Sequence, residues 1–278
     1  MKGMLYLCAT PIGNLGDVSA RCLEVFKTVD LIACEDTRRT VQLLNAFGIQ
    51  KPLTSYHEHN KREKGKYITG LLKEGKNVAL VSDAGTPAIS DPGEDLVKLC
   101  IEEDLEVTSI PGCVAGINAL ILSGLPTRRF AFEGFLSVNK RHRREHLESV
   151  RKDSHTLIFY EAPHKLVYTL ADMLEVFGDR KIALVRELTK IHEEVIRTTL
   201  AEAQELYREK SPKGEYVIII EGAKETAEEQ WWEHMTVTEH VERYIGEGDD
   251  PKEAVKKTAK DRNLPKREIY SEYHKLNK

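Results

Sequence analysis

The residues best suited to chemistry directly follow the apolar run Val78-Ala79-Leu80-Val81. From Val81 to Gly93 they read VSDAGTPAISDPG, with two aspartates, two glycines and two prolines. A glycine-rich loop behind a buried strand commonly cradles phosphate, and a lysine with backbone N–H groups meets the charge. This loop has no lysine. No Gly-Lys-Ser/Thr triplet closes any loop of the chain, and Gly-x-Gly-x-x-Gly is absent. Asp83 and Asp91 instead repel phosphate and suit a cation or ribose hydroxyls. Gly85 allows close approach of backbone to a ligand. S-adenosylmethionine has those properties: a sulfonium, an ammonium, a ribose and an adenine, with no phosphate. A turn capped by its own aspartates also fits, and composition alone favours the turn.

Two further clusters carry polar chemistry. His57 and His59 lie two apart, and on a strand they would share one face, as metal ligands do. No third ligand is evident, so RNA contact or ordinary loop polarity is the better reading. The run NKRHRREHLESVRK (Asn139–Lys152) is the most basic of the chain: Lys140, Arg141, Arg143, Arg144, Arg151 and Lys152 are opposed only by Glu145 and Glu148. Such a run can neutralise phosphates of a nucleic acid. Taken alone, it reads as the solvated face of a helix.

These segments must be held by the elements around them. Strand-like runs at Leu5–Ala9, Leu31–Cys34, Leu53–Tyr56, Val78–Val81 and Val107–Ile110 alternate with helical patterns at Val18–Val29, Thr37–Phe47, Lys61–Lys73, Pro92–Glu103 and Gly112–Ser123. This rhythm predicts a parallel sheet with helices on both faces. Ligands of such sheets sit at the carboxyl ends of strands, where ATPIGN, SDAGTPAISDPG and IPGCVAG all lie. SGLPTRRF reads as a linker to a second unit, with strands at Phe130–Leu136, Thr156–Tyr160, Ile182–Arg186, Val195–Thr199 and Tyr216–Ile220, and a helix at His164–Phe177. The strands flanking TKIHEE are close enough for a hairpin, so the second sheet is expected to be mixed. AKETAEEQWWE suggests another boundary. Beyond it, Val237–Ile245, Pro251–Asp261 and Pro265–Leu276 read as short helices, the last two spaced like a helix-turn-helix or simply forming a helical cap. The domains expected are 1–124, 125–228 and 229–278.

The chain has 278 residues, 41% of them hydrophobic and 31% charged, and a formal net charge of −4. Nothing global marks a nucleic-acid binder. No apolar run approaches the roughly 20 residues needed to span a bilayer, and the opening MKGMLYLCATPIGN reads as a strand and turn rather than a signal peptide. The five cysteines are widely spaced with no Cys-x-x-Cys. Reduced thiols in a cytoplasmic protein are expected, with no metal site and no membrane association.

Several segments together resemble one known family. They are the stretch from YLCATPIGN through CEDTRRTVQLL, VALVSDAGTPAISDPGEDLV, VTSIPGCVAGINALILSGLP, FYEAPHKL and RELTKIHEE. The combination of EDTR (Glu35–Arg38), SYHEHN (Ser55–Asn60) and YEAPH (Tyr160–His164) is similar to the tetrapyrrole methylase superfamily. The closer likeness is to its branch of small-subunit rRNA (cytidine-2′-O)-methyltransferases, over about Leu5 to Gly222. The resemblance implies two α/β domains, the first with a parallel and the second with a mixed sheet, plus the small C-terminal helical domain. It also implies a homodimer, S-adenosylmethionine as methyl donor, and 16S rRNA of the small ribosomal subunit as substrate.

Carried onto this sequence, the donor's wall would be Pro11, then Ser82, Asp83, Ala84, Gly85, Ile89 and Ser90. Pro111, Gly112, Val114 and Ala115 would follow. The second domain would add Tyr160, Leu188, Gly214 and Glu215. A ribose hydroxyl is a poor nucleophile while protonated, so a general base is expected. Glu35, Asp36, Arg38 and Glu161 are the main candidates, with His57, Glu58, His164, Glu187 and Lys190 also near strand ends. With this resemblance, Arg128, Arg129, Lys140, Arg141, Arg143 and Arg144 become the expected RNA contacts. The alternatives are a tetrapyrrole C-methylase, with no use for that charge, and a non-enzymatic RNA-binding or ribosome-assembly factor, with no donor site.

Overall fold

The computed structural model describes residues 2–224, 231, 232 and 234–275. The chain divides into two compact units, Met1–Ala223 and Lys224–Lys278.

The first unit contains two five-stranded sheets. One comprises β1 (Met4–Cys8), β2 (Leu31–Cys34), β3 (Leu53–Ser55), β4 (Val78–Val81) and β5 (Glu106–Ile110). Their order is β3-β2-β4-β1-β5 and all pairs are parallel. β2 and β4 are buried at every residue, which is why they read as unbroken apolar runs rather than alternating ones. Helices α1 (Ala20–Thr28) and α2 (Thr37–Ala46) cover one face through Phe26 and Leu44. Helices α3 (Lys61–Lys73) and α4 (Gly93–Glu102) cover the other through Ile68, Leu72 and Leu96.

Helix α5 (Ala115–Ser123) leaves β5 but does not return to that sheet. It lays Ala119 and Leu120 on Ile158, Ala183, Val217 and Ile219 of the second sheet. The chain therefore changes cores before it changes sheets. The helical pattern read from Gly112 begins only at Ala115, because Val114 is extended and caps it.

The second sheet comprises β6 (Phe130–Phe135), β7 (Thr156–Glu161), β8 (Lys181–Arg186), β9 (Glu194–Thr199) and β10 (Tyr216–Ile220). Its order is β6-β7-β10-β8-β9, with β6 parallel to β7 and every other pair antiparallel. The expected mixed sheet and the hairpin around TKIHEE are both present. Helices α6 (Lys140–Val150), α7 (Pro163–Phe177) and α8 (Leu200–Glu209) cover the face opposite α5 through Leu147, Leu166, Leu170 and Ala203.

The second unit holds α9 (Val237–Gly246), α10 (Pro251–Asp261) and α11 (Lys266–Lys275). They share a small core of Val237, Val241, Val255, Ile269 and Tyr273. Thr236 and Glu239 form a reciprocal capping box that starts α9. His240 is fully buried and stacks on Trp232 and Tyr244, while Arg262 Nε donates to its Nδ1 at 3.1 Å. Within AKETAEEQWWE, residues 225–230 and 233 lie outside the described residues, as does Leu276 of the last helical pattern.

Candidate active site

Three loops at the carboxyl ends of β1, β4 and β5 are fastened to one another. Thr10 and Gly85 exchange two backbone hydrogen bonds, at 2.9 and 3.0 Å. Thr86 Oγ1 donates to the Cys113 carbonyl at 2.9 Å, and Thr10 Oγ1 to the Ser82 carbonyl at 3.2 Å. Gly85 has a φ of +84°, and a Cβ there would sit 3.3 Å from Ile12 and 3.4 Å from the Cys113 carbonyl. A Cβ on Gly112 would come within 2.6 Å of Ala9 Cβ. Gly85 is thus required by its left-handed backbone and Gly112 by the close approach of Ala9.

Above these loops, and bounded on the far side by the second sheet, is a cavity of about 620 Å³. Of the expected donor contacts, Ser82, Asp83, Ala84, Gly85, Ile89, Ser90, Val114, Ala115, Tyr160, Leu188 and Glu215 line it. Pro11 lines a smaller neighbouring cavity of about 340 Å³ that shares Arg39, Ser82 and Asp83. Pro111, Gly112 and Gly214 line neither, and act behind the wall. A Cβ on Gly214 would meet Glu187 Cγ at 2.4 Å, so this glycine lets the β8–β9 hairpin lie against the turn before β10.

Backbone strain concentrates here. Of six non-glycine residues with positive φ among the described residues, Ala88, Ser90, Glu187 and Thr189 lie in or beside this wall. Asp91 Oδ1 holds the first pair by accepting from Ala88 N at 2.9 Å and Gly93 N at 2.7 Å. Burial pushes the Asp91 carboxyl above its ordinary value despite these bonds. Glu187 Oε1 accepts from Glu215 N and Lys190 Nζ, both at 2.9 Å, and holds the second pair. Strain retained in this way is typical of ligand sites.

The charges of the wall decide what can bind. Glu35, Asp83, Asp91, Glu161 and Glu215 face Arg39 and Lys190. Both cations are already paired, Arg39 with Asp83 at 3.2 Å and Lys190 with Glu187 and Glu215 at 2.9 Å. A phosphate would meet excess negative charge, whereas a cationic ligand with an apolar body fits beside Val114, Val185, Leu188 and Val217.

The four catalytic candidates separate. Glu35, at the end of β2, lines the cavity and reaches solvent. Its carboxyl is pushed above its ordinary value by partial burial, then by repulsion from Asp83 and Asp91, offset in part by Arg39 and His57. Glu161, at the end of β7, also lines the cavity but is buried. Its Oε1 accepts from Ala162 N at 2.8 Å and pairs with Lys165 Nζ at 2.9 Å, and its Oε2 accepts from Thr169 Oγ1 at 2.5 Å. Asp36 and Arg38 do not line the cavity. Asp36 caps α2 through Arg38 N at 2.9 Å, and the Arg38 guanidinium lowers its carboxyl to about 2. Among the described residues no His, Cys, Asp and Glu cluster could hold a metal. His57 Nε2 contacts the Asn60 amide at 3.2 Å instead.

The basic run requires a correction. Arg143 is buried, not facing phosphate: Nε and Nη2 each meet Asp172 Oδ2 at 2.7 Å, and Nη1 donates to the Ser137 carbonyl at 3.1 Å. Its helical position points it at α7, and an unpaired buried charge would be costly, so an aspartate meets it there. Arg144 forms a fork with Glu175 at 2.5 and 2.7 Å, and Arg141 pairs with Glu145 at 2.8 Å. Arg128, Arg129 and Lys140 are exposed and make no salt bridge among the described residues.

The description Tetrapyrrole (Corrin/Porphyrin) Methylases matches residues 4–204. The chain belongs to the tetrapyrrole methylase family. It is 53% identical over 275 residues to the ribosomal RNA small subunit methyltransferase I of Halalkalibacterium halodurans, covering 98% of this chain and 95% of that protein. It is 50% identical to the protein of the same name from Bacillus subtilis, covering 98% and 94%. The relative of that name from Thermotoga maritima is 47% identical over 220 residues, covering 79% of this chain and 99% of its own. Among solved structures, uroporphyrin-III-C-methyltransferase from Thermus thermophilus superposes with a TM-score of 0.57 at 18% identity, covering 78% of this chain and 94% of that one. Diphthine synthase gives 0.63 at 14%, covering 79% and 90%. At that identity these two establish the shared fold alone.

As a tetrapyrrole methylase, the protein takes its methyl group from S-adenosylmethionine. The charge of the acidic cavity is complementary to the donor's sulfonium and ammonium. The residues missed in the sequence include Phe135, Arg39 and Val217, all in the cavity wall. Phe135 left a signal: Gly134 interrupts the alternating FAFEGF, as a glycine does at a strand bulge.

Proposed function

We propose that this tetrapyrrole methylase places a methyl group on the 2′-hydroxyl of a cytidine in small-subunit ribosomal RNA. The carrying observation is an acidic cavity with no uncommitted cation, in a chain about half identical to relatives named for rRNA methylation. The likeness to the uroporphyrin enzyme supports only the fold.

When bound, S-adenosylmethionine supplies a methyl group activated by a sulfonium. The loops after β1, β4 and β5 hold the donor with backbone and with Ser82, Asp83, Ala84 and Gly85. Val114, Ala115, Leu188 and Val217 exclude water from it. The strained backbone at Ala88, Ser90, Glu187 and Thr189 fixes the wall in advance, which orients reactants without a cost at the moment of reaction. Glu35 is the general base of this reading. Of Glu35, Asp36, Arg38 and Glu161 it alone lines the cavity without a hydrogen-bonded partner among the described residues, and partial burial with repulsion from Asp83 and Asp91 raises its carboxyl, which makes it a better proton acceptor than an ordinary glutamate. Glu161 is fully committed and positions Lys165 and the start of α7. Asp36 and Arg38 start α2.

Arg128, Arg129 and Lys140 are the cations left to meet phosphate, with Arg141 and Arg144 able to exchange their exposed partners. A cytoplasmic homodimer is part of the same reading. So are three domains at 1–124, 125–228 and 229–278, the last contributing helices to RNA.

Labelled S-adenosylmethionine incubated with unmethylated small subunits or naked rRNA tests the reading. Label on cytidine 2′-oxygen is the expected result. Label only on a corrin or porphyrinogen would replace the substrate, and no saturable donor binding by calorimetry would remove the enzyme.

A further inference from the structure

Phe135 occupies the cavity wall while 56% exposed, an unusual place for an apolar ring. It got there through a strand irregularity. On β6, Phe132 pairs with Ile158, Gly134 with Phe159 and Phe135 with Tyr160, so Glu133 is an extra residue. Side chains alternate along a strand, and three residues apart would put Phe132 and Phe135 on opposite faces. The bulge restores Phe135 to the face of Phe132 and Tyr160. Both rings meet Tyr160 at a steep angle, with centroids 5.1 and 5.4 Å away. Gly134 takes a φ of +65°, and a Cβ there would lie 3.0 Å from Ser90 Oγ of the donor loop. The bulge thus aims a ring into the cavity and ties its position to the loop that holds the donor.

One cation lies beside the ring, already paired with Glu161 at 2.9 Å. It is Lys165, whose Nζ lies 5.9 Å from the ring centroid. β6 starts directly after Arg128 and Arg129, and α6 begins with Lys140 five residues beyond Phe135. Phe135 lines the cavity and is open to solvent, with Arg128 and Arg129 before the opposite end of β6.

Resting on the rRNA reading above, we infer that Phe135 is a substrate-binding residue: a stacking platform for the base of the target nucleotide. The methyl donor's cavity is recessed between two sheets, so a ribose hydroxyl can enter it only if its nucleotide leaves the helical stack. The displaced base then needs a new stacking partner, which aromatic side chains supply. The substrate class implied is an unstacked, single-stranded segment of RNA rather than a continuous duplex.

The test compares Phe135→Leu, Phe135→Ala and Phe135→Trp with the unchanged protein, using unmethylated small subunits and labelled donor, with donor affinity measured by calorimetry. Leucine keeps an apolar side chain but loses the ring face. Expected are a 10- to 100-fold fall in kcat/KM for RNA in the leucine and alanine variants, near-full activity with tryptophan, and donor affinity within twofold throughout. Leucine matching the unchanged rate would overturn the platform and leave the methyltransferase reading intact. A parallel loss of donor affinity would reassign the ring to the donor's wall and overturn it too. No labelling by the unchanged protein would remove the methyltransferase reading and the platform with it.

Discussion

Glu35 and Glu161 end strands of different sheets and line the same cavity, yet their surroundings differ in kind. Glu161 is buried, with both oxygens engaged by Ala162 N, Lys165 and Thr169. Glu35 reaches solvent, with only long-range charges around it. The same contrast separates Arg143, locked on Asp172, from Arg128 and Arg129, which carry no salt bridge among the described residues. A charge consumed by folding has no capacity left for a ligand. One left over at a cavity mouth or on an exposed turn is free to act.

Substitutions can break or sharpen that contrast. The largest effect expected is on chemistry: Glu35→Gln lowers kcat by about 10²- to 10⁴-fold in the labelling assay, while donor affinity by calorimetry holds. The pH profile gives an independent reading. The base acts when ionised, and its carboxyl lies above the ordinary 4.5. The rate should therefore fall as pH drops through a point above 4.5, and Glu35→Gln should lose that limb. A full-rate glutamine variant would move the base elsewhere.

Arg143→Ala comes next and acts on the fold. It leaves Asp172 buried and unpaired, so urea unfolding should show a loss of about 3–5 kcal/mol. An unchanged midpoint paired with weakened RNA binding would instead return Arg143 to the RNA surface. Glu161→Gln should cost about 2–3 kcal/mol, because Lys165 retains some solvent contact. Its kcat should fall far less than that of Glu35→Gln. Equal falls in kcat for the two would erase the distinction between them. Smallest is the paired change Arg128→Glu with Arg129→Glu. It should leave stability nearly unaltered, raise KM for RNA, and flatten the log–log salt dependence of RNA binding by about 1 to 2. A salt dependence identical to that of the unchanged protein would remove both residues from the interface.

Much of the fold was legible because burial leaves a periodic record. The unbroken apolar runs at Leu31–Cys34 and Val78–Val81 announced parallel strands buried on both faces, and Pro163 and Asp250 mark helix starts by local chemistry. The loop after β4 was legible as a phosphate-averse site from its carboxylates and missing lysine. The destination of α5 was not, since AGINALILS is apolar on most sides and its pattern does not say which sheet it will cover. Nor was the bulge at Glu133–Gly134 translated into the position of Phe135, although its glycine was visible.

By itself the sequence determined the elements, their order, the acidic character of the donor loop and the family. The elements, their order and the loop's character follow from interactions among neighbours in the chain: periodicity, caps, turn residues and local charge; the family follows from the resemblance of several motifs taken together. Which charges remain available was decided only by tertiary structure. Asp172 is 29 residues from Arg143, so no local pattern reveals that folding has spent that cation. Glu35 and Glu161 are likewise both strand-end glutamates in the chain, and only the packing of Thr169 and Lys165 against one of them makes their chemistry different.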